Sequence, residues 1–313
     1  MEKQPRWAGF LLVILGASFW GIGGTVSQHL FQKENISVEW LVSVRLLIAG
    51  VIMLLLSFFF KDRRKVIEIW SNRNTSFQLI IFGLLGMLAV QYTYMASINL
   101  GNAAVATLLQ YLAPVFILMY LVLTRVKHLK LQDVIAVVLA LSGTFLLLTN
   151  GSIGSLAVPM SSVVWGILSG LALAFYTLYA GGLLQKWGSL TVIGWAMIIG
   201  GIGMSLIHPP WRFDPGNWAN STYFYLGFVI LFGTMLAFWF YLESLKYLKP
   251  QETSLLGTLE PLAAIITSVL WLKIPFGIYQ LIGTFFILCM ILYLSLVKER
   301  KKGEDQSLMK EIV

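Results

Sequence analysis

Ten long apolar stretches dominate this sequence and constrain its fold more than any other feature. They lie at about 8–28, 38–60, 77–98, 103–124, 131–149, 162–184, 190–207, 222–245, 251–272 and 278–297. A helix needs roughly 20 apolar residues to cross the hydrocarbon core of a bilayer. Charged residues make up only 12% of the chain, whereas soluble domains contain about 25%. The sequence therefore predicts an all-α integral membrane protein with ten transmembrane helices.

Positive charges between the spans predict how the chain is oriented, because cytoplasmic loops of membrane proteins are enriched in lysine and arginine. If the N-terminus is cytoplasmic, the external segments contain only Lys33, Arg212 and Lys273. The cytoplasmic segments then contain Lys3, Arg6, Lys61, Arg63, Arg64, Lys65, Arg73, Arg125, Lys127, Lys130, Lys186, Lys246, Lys249, Lys298, Arg300, Lys301, Lys302 and Lys310. We therefore expect a multi-pass protein of the plasma membrane with both termini in the cytoplasm. The net charge of +8 fits loops that face anionic lipids better than nucleic-acid binding.

Residues that would indicate an enzyme are missing from the sequence. It has no G-x-x-x-x-G-K-[ST] phosphate-binding loop, only one cysteine, and three scattered histidines. An intramembrane transferase or aspartyl protease would need acidic residues clustered within spans. The aspartates instead lie in loops or at helix ends, at Asp62, Asp133, Asp214 and Asp305. We expect no catalytic activity, no cofactor and no metal site; the expected partners are a small-molecule substrate and the lipid bilayer, with the chain a monomer or homodimer.

The two halves of the sequence resemble each other. With a shift of 147 residues, "YMASINLGNAAVATLLQYLAPV" (94–115) aligns without a gap on "YLESLKYLKPQETSLLGTLEPL" (241–262). The most informative identical pairs are Tyr94 with Tyr241, Ser97 with Ser244, Pro114 with Pro261 and, upstream, Gly86 with Gly233. Five spans are an odd number, so the second half would cross the membrane in the opposite direction, as in the inverted repeats of secondary transporters. We predict two inverted five-helix repeats, 1–150 and 151–298, and a charged cytoplasmic tail, 299–313.

An acidic residue lies in the middle of the ninth span, in "GTLEPLAAI" (257–265). Glu260 precedes Pro261, which displaces the backbone hydrogen bond to the carbonyl of Gly257; Pro114 does the same to Gln110. An intramembrane charge costs about 2.5–3.5 kcal/mol on insertion scales, so it usually faces the protein interior. Glu260 shares a helical face with the small residues Thr253, Gly257, Ala264 and Thr267. Such a face allows close helix packing or borders a cavity, and the acid favours the cavity.

Other polar and aromatic residues within the spans could form the wall of a substrate site. Arg45 either binds a carboxylate or phosphate of the substrate, or it snorkels toward the interface or forms a structural ion pair. The aromatic residues either pack in the core or line a pocket, since small-molecule sites are mainly apolar with a few polar anchors. The predicted pathway residues are Trp20, Arg45, Gln91, Tyr94, Gln110, Tyr176, Tyr179, Trp239, Tyr241, Gly257 and Glu260, with helix breaks at Pro114 and Pro261.

Four segments together resemble the EamA-type transporters of the drug/metabolite transporter superfamily. They are "FWGIGGTVSQ" in the first span, "VSVRLLIAG" in the second, "LLQYLAPVFILMYLVL" in the fourth and "LLGTLEPLAAIITSVLWL" in the ninth. The resemblance covers nearly the whole chain and implies export of amino acids, other metabolites or drugs from the cytosol. The first half departs from the pattern, because Ala113 precedes Pro114 where such repeats usually have a glutamate.

Two classes of function fit these features. The first is a secondary transporter, driven by protons or another gradient, and the second is a membrane sensor or scaffold that does not transport. Paired prolines and polar residues at the midplane favour the transporter, because a scaffold has no need of them. The residues leave export and import open, and the resemblance favours export. We predict that Glu260 couples transport to protons or binds the amino group of a substrate, with Arg45 or an aromatic neighbour at its other end.

Overall fold

The computed structural model describes residues 6–60, 63–152, 154–212 and 218–311, with side chains as far as residue 294 except at 60, 250 and 251. Within these residues, nine helices are long and apolar enough to cross a membrane: Arg6–Gln32, Val38–Phe59, Arg73–Leu100, Ala103–Leu123, Leu131–Thr149, Met160–Trp187, Ser189–Ile207, Asn220–Ser244 and Glu252–Leu270. A shorter apolar helix, Ile278–Leu294, follows them. We number the ten as spans 1 to 10. The predicted all-α membrane architecture is thus confirmed, with borders that agree within a few residues.

The last helix continues past its apolar part and covers Ile278–Glu311. The predicted tail, 299–313, is therefore helical as far as Glu311, and its last two residues lie outside the described residues. Lys3, Lys61, Asp62 and Asp214, which were used in the predictions of topology and activity, also lie outside them. The cytoplasmic position of both termini stays a prediction.

Spans 4 and 9 are each interrupted near the middle. Span 4 consists of the helices Ala103–Gln110 and Ala113–Leu123, and span 9 of Pro250–Gly257 and Leu259–Leu270. Pro114 and Pro261 lie in the first turn of the second helix, where a missing N–H costs no intrahelical hydrogen bond. Pro261 is buried and Pro114 is half-buried, so both prolines lie away from the most lipid-exposed surface. The two breaks occupy corresponding positions in the two halves of the chain.

Spans 3 and 8 each contain a short π-helical segment, Phe82–Leu88 and Leu231–Leu236. The 147-residue shift that aligns the sequences nearly superimposes these segments, since Gly86 in the first corresponds to Gly233 in the second. π-Helical turns are rare in proteins, and those that occur often lie at functional sites. Gly233 also permits a close helix contact, because a Cβ on Gly23 of span 1 would lie 2.8 Å from its Cα. The two halves therefore share an unusual backbone feature, which similar amino-acid composition alone would not produce.

The spans of the two halves pack against each other in a reciprocal pattern. Span 1 packs on spans 8 and 9, and span 6 packs on spans 3 and 4. Span 2 packs on span 7, and span 5 packs on span 10. In the last pair a Cβ on Gly143 would lie 2.8 Å from the carbonyl oxygen of Gly283, which is the close approach that small residues give membrane helices. Each span of the first half thus packs on spans whose counterparts in the first half pack on its own counterpart in the second half.

Apolar side chains cover much of the outer surface, while polar ones lie inside. Leu141, Leu206 and Phe285 are each more than 60% exposed. In water, an apolar surface of this kind would promote aggregation. Arg45 and Gln91, by contrast, are 3% and 7% exposed. This distribution fits a protein whose surface contacts lipid and whose polar groups serve an internal site.

Candidate functional site

The break in span 9 meets the break in span 4 through one acid and one tyrosine. Glu260 lies in the first turn after the span 9 break and is half-buried. Tyr111 lies within the span 4 break, between Gln110 and Ala113. Its hydroxyl oxygen is 3.1 Å from Oε2 of Glu260 and 2.8 Å from the carbonyl oxygen of Gly257. The contact therefore joins the interrupted helices of the two halves.

The Gly257 carbonyl is the group that Pro261 was expected to leave without a backbone partner. In the structure it accepts a hydrogen bond from the Tyr111 hydroxyl, so the opposite half of the chain satisfies it. Sequence reasoning did not select Tyr111. The sequence feature that could have identified Tyr111 is its position in a predicted helix break, three residues before Pro114. Because Gly257 has no side chain, Tyr241 also approaches this point, with a ring atom 3.4 Å from where a Cβ would lie.

Span 1 lies directly against the Glu260 turn because its glycines lack side chains. A Cβ on Gly21 would be 2.3 Å from the carbonyl oxygen of Glu260. One turn further along, the Thr25 hydroxyl is 2.7 Å from the Thr267 hydroxyl and 3.3 Å from the carbonyl oxygen of Ala264. These hydrogen bonds hold span 1 to the second half of span 9. The predicted face of small residues on span 9 therefore contributes both to helix packing and to the surroundings of Glu260.

Aromatic rings of spans 1 and 8 lie beside the break in span 9. The ring centroid of Trp20 is 5.2 Å from that of Tyr241 and 4.8 Å from that of Phe238. Trp20 and Tyr241 are both half-buried. Since Tyr241 also approaches Gly257, these rings continue from the helix break outward along spans 1 and 8. The structure thus brings together Trp20, Tyr241, Gly257 and Glu260 from the predicted set.

Tyr94 lies near both the acid and the buried arginine. Its hydroxyl shares a hydrogen bond of 2.7 Å with the Thr107 hydroxyl, and Gly24 makes room for it, since a Cβ there would lie 2.8 Å from the phenolic oxygen. The Tyr94 hydroxyl is close enough to both Glu260 and Arg45 to interact with them electrostatically. It therefore links the two charged residues that the sequence singled out within the membrane.

Arg45 is a buried cation whose partners are neutral. It donates a hydrogen bond to Oε1 of Gln91, and a second guanidinium nitrogen contacts the Met95 sulfur at 3.8 Å. Its Nε has no hydrogen-bond partner, and no acidic side chain among the described residues pairs with it. The structural ion pair considered for Arg45 is thus not seen in the described part of the chain. Burial of a charge without an opposite charge is unfavourable, so this site is suited to an anionic ligand.

Four other predicted residues make contacts typical of packing. Gln110 donates to the Ser169 hydroxyl at 2.7 Å. Tyr176 packs on Phe82 with centroids 4.8 Å apart. Tyr179 stacks on Phe175, and Trp239 contacts Phe240. Within the described residues, no hydrogen bond or ring contact joins these four side chains to Glu260 or Arg45.

A polar crevice opens near the ends of spans 1, 3, 5 and 10, on the face that the charge distribution predicts to be external. Its volume is about 610 Å³, and its wall includes the amide side chains Gln28, Gln32, Asn102, Asn150 and Gln280. Gln28 also accepts a hydrogen bond of 2.9 Å from the backbone N–H of Ala103, where the first helix of span 4 begins. Along span 1, the contact of Thr25 with Thr267 lies between this crevice and Gly21, which adjoins Glu260. In the described part of the chain no three His, Cys, Asp or Glu residues are grouped to hold a metal.

Comparisons with known proteins agree with this architecture. The chain is 34% identical over 295 residues to an uncharacterized inner membrane transporter, YicL, of Salmonella typhimurium, which covers 94% of this chain and 97% of the relative. It is 23% identical to an uncharacterized transporter of Archaeoglobus fulgidus over 78% of this chain and 82% of that one. A solved crystal structure of a protein at 16% identity matches the fold with a TM-score of 0.61, over 95% of this chain and 99% of that one.

Each half of the chain separately matches the same protein family. The EamA-like transporter family matches residues 7–149 and again residues 160–296. The two matches together cover nearly all the residues assigned to the ten spans. The chain therefore belongs to the EamA-like transporter family.

Proposed function

We propose that this protein is a secondary transporter that exports amino acids or similar small metabolites from the cytosol and is coupled to the proton gradient. The observation that carries the proposal is the contact of Glu260 with Tyr111, where two interrupted helices from opposite halves meet inside the membrane. Substrate and ion sites of secondary transporters lie near the midplane at the interface of two repeats, beside broken helices. An acid there can exchange a proton with water when its side of the protein opens.

An inverted-repeat architecture is part of this proposal. The corresponding helix breaks, the corresponding π-helical segments and the reciprocal packing of spans all support it. Because each half has five spans, the halves would cross the membrane in opposite directions, related by an axis in the membrane plane. Rocking of one set of spans against the other would then expose Glu260 first to one side and then to the other.

Contacts around span 1 support a state that is closed toward the predicted external face. Thr25 joins span 1 to span 9 through Thr267, and Gln28 joins it to span 4 through the N–H of Ala103. Both contacts lie on the external side of Glu260 if the N-terminus is cytoplasmic. An exporter takes up its substrate in such a state, and releases it after these contacts open.

The charges at the site favour a substrate that carries both an amino group and a carboxylate. Glu260 supplies the negative charge, and Arg45 supplies a guanidinium that lacks an acidic partner among the described residues. Tyr94 interacts electrostatically with both. A guanidinium can bind a carboxylate through two parallel hydrogen bonds, while Glu260 would neutralise the ammonium group. The aromatic rings of Trp20 and Tyr241 would contact the apolar part of such a molecule.

Import of a similar metabolite, and a sensor or scaffold role without transport, are the alternatives. Counterflow in proteoliposomes separates transport from the sensor and scaffold roles. Labelled amino acids, amines and sugar phosphates are offered outside vesicles that contain the same unlabelled compound. We expect accumulation of label for at least one amino acid, and a higher melting temperature of the purified protein with that compound. A compound that raises the melting temperature without any counterflow would contradict the proposal.

Direction is tested in intact cells by the same compounds. Cells that overproduce the protein should lose a preloaded amino acid faster than cells carrying Glu260→Gln. Faster uptake with unchanged loss would identify an importer instead.

A further inference from the structure

One tyrosine hydroxyl in the site has two acceptors. Tyr111 lies 2.8 Å from the Gly257 carbonyl oxygen and 3.1 Å from Oε2 of Glu260. A phenolic hydroxyl has a single proton to donate and can also accept. A carbonyl is an acceptor only, and so is an ionised carboxylate. Both contacts can be full hydrogen bonds only if the second proton belongs to Glu260.

The arrangement is therefore complete when Glu260 is protonated. Tyr111 then donates to the carbonyl of Gly257, and the carboxylic acid donates to the Tyr111 oxygen. After Glu260 loses its proton to water, both acceptors compete for the one hydroxyl proton. The carboxylate is the stronger acceptor, because hydrogen bonds to ionised groups are roughly twice as strong as neutral ones. The hydroxyl turns to the acid, and the Gly257 carbonyl loses its partner.

We infer that Tyr111 is a proton-controlled latch between the interrupted helices of spans 4 and 9. This inference rests on the proposed function, since it describes how the proton on Glu260 would act on the helices. The protonated acid holds the Gly257 end of the span 9 break against span 4. Deprotonation frees that carbonyl, and because a buried unpaired carbonyl is unfavourable, the break relaxes until water or another donor reaches it.

Differences between the two halves support a dedicated pair. The residue that corresponds to Glu260 in the first half is Ala113, and the one that corresponds to Tyr111 in the second half is Thr258. The Thr258 hydroxyl bonds within its own span, to the Leu255 carbonyl at 2.7 Å. The acid is thus in the second half and its tyrosine in the first. The hydrogen bond between them therefore joins the break in span 4 to the break in span 9.

Among the groups that face Glu260, the acid itself is the one whose proton the latch uses. Tyr111 faces the acid from span 4, Tyr94 from span 3 and Tyr241 from span 8. Phenols ordinarily titrate near pH 10, well above the pH of a cell. Span 1 contacts the acid through Gly21, which does not titrate. Arg45 and the acid both interact with Tyr94, and no hydrogen bond between described residues joins Arg45 to Glu260 directly.

The latch is tested by measuring the separation of spans 4 and 9 as pH changes. Cys289 is the only cysteine, so Cys289→Ser gives a background for spin labels at Leu123→Cys and Ser254→Cys, one on each span and both exposed. Electron–electron resonance distances are recorded in lipid nanodiscs at acidic and alkaline pH. We expect the distance distribution to change with pH. An unchanged distribution would overturn the inference.

Two variants connect the change to the latch, and one controls for them. Tyr111→Phe removes the hydroxyl, so its distribution should no longer depend on pH. Glu260→Gln can donate its amide proton to Tyr111 at every pH and should keep the acidic distribution throughout. Tyr120→Phe changes a lipid-exposed tyrosine of the same span and should behave like the parent. A full pH response in Tyr111→Phe would contradict the latch.

Failure of the latch and failure of the proposed function give different results. Counterflow by the Cys289→Ser parent and by the Tyr120→Phe control tests transport without any pH gradient. Transport with a pH-independent distance would leave the transporter in place and remove the latch. A pH-dependent distance that Tyr111→Phe abolishes, in a protein that transports none of the offered compounds, would support the latch and contradict the proposed function.

Discussion

Gly21 brings span 1 into direct contact with the backbone of Glu260. A Cβ at Gly21 would lie 2.3 Å from the Glu260 carbonyl oxygen and 2.8 Å from the backbone nitrogen of Ala264. Backbone atoms cannot rotate away as a flexible side chain can, so the two helices must separate to admit even a methyl group. The position of the acid relative to span 1 therefore depends on the absence of a side chain.

We predict that Gly21→Ala destabilises the protein and impairs transport. Overpacking a tight helix contact costs about 1–3 kcal/mol, and the separation would also weaken the hydrogen bond between Thr25 and Thr267. The melting temperature in detergent should fall, and counterflow should fall with it. Gly182→Ala in span 6 is the matched control, because a Cβ there meets nothing within 4 Å. There alanine's helix propensity should be neutral or favourable by up to about 1 kcal/mol. Equal losses in both variants would contradict the role of the close contact.

Hydropathy and loop charge were sufficient to predict ten spans, because crossing a bilayer requires long apolar helices whatever their neighbours are. The repeated prolines marked the region of the helix breaks, because proline acts on its own backbone. Tyr111 was missed because its partner lies 149 residues away, and nothing local to Tyr111 indicates that contact. Gln110 and Tyr176 look equally suited to a pocket from the sequence, but side-chain packing decides which residues face Glu260. The π-helical segments depend on such packing too, and hydrophobic periodicity does not report them.

The charge distribution makes a separate prediction about topology. With both termini in the cytoplasm, a reporter fused after Val313 should be active if it needs the cytoplasm and inactive if it needs the external side. The positive-inside rule is the physical basis, since basic segments are retained on the cytoplasmic side. Fusions in the loop after span 7, close to His208, should give the opposite pattern. An externally active reporter at the C-terminus would rule out ten spans with a cytoplasmic N-terminus.

For Arg45 we predict that Arg45→Lys weakens transport with little change in the amount of folded protein. Lysine keeps the charge but lacks the planar group that binds a carboxylate bidentately. Loss of one charge-assisted hydrogen bond is worth about 1.5–3 kcal/mol, which corresponds to roughly 10- to 150-fold weaker binding. Counterflow as a function of substrate concentration measures the change. Loss of folded protein in place of weaker binding would indicate a structural role.

A second variant at this position tests whether the guanidinium lacks a counter-charge. Arg45→Met fills a similar volume and removes a buried charge that has no opposite charge among the described residues. Even buried ion pairs can often be replaced by apolar residues with no loss of stability or with a gain of about 1–4 kcal/mol. The substrate-free variant should therefore melt at a higher temperature than the parent. It should also lose the further stabilisation that an amino acid substrate gives the parent. A lower melting temperature without substrate would contradict the absence of a counter-charge and show that the guanidinium stabilises the substrate-free protein.

The strongest prediction concerns Glu260, because its carboxylate is the group through which a proton would drive transport. Glu260→Gln preserves the shape of the side chain and its contact with Tyr111, but it removes the ability to take up and release a proton. We expect the variant to insert, to fold and to bind substrate at least weakly. Its counterflow should no longer respond when a pH gradient is imposed across the vesicle membrane, whereas the parent should respond.

The control for Glu260→Gln is a second acid on a neighbouring span. Glu243 lies at the predicted cytoplasmic end of span 8, where it forms an ion pair with Lys246. Exposed pairs of this kind contribute about 0–1 kcal/mol, so Glu243→Gln should fold normally and keep the full response to the pH gradient. Proton coupling requires an acid that alternately meets each side of the membrane, and Glu243 lies outside the region where the broken helices meet. If Glu260→Gln transports like the parent at every gradient while its substrate affinity is unchanged, the acid stabilises the helix break and another group carries the proton.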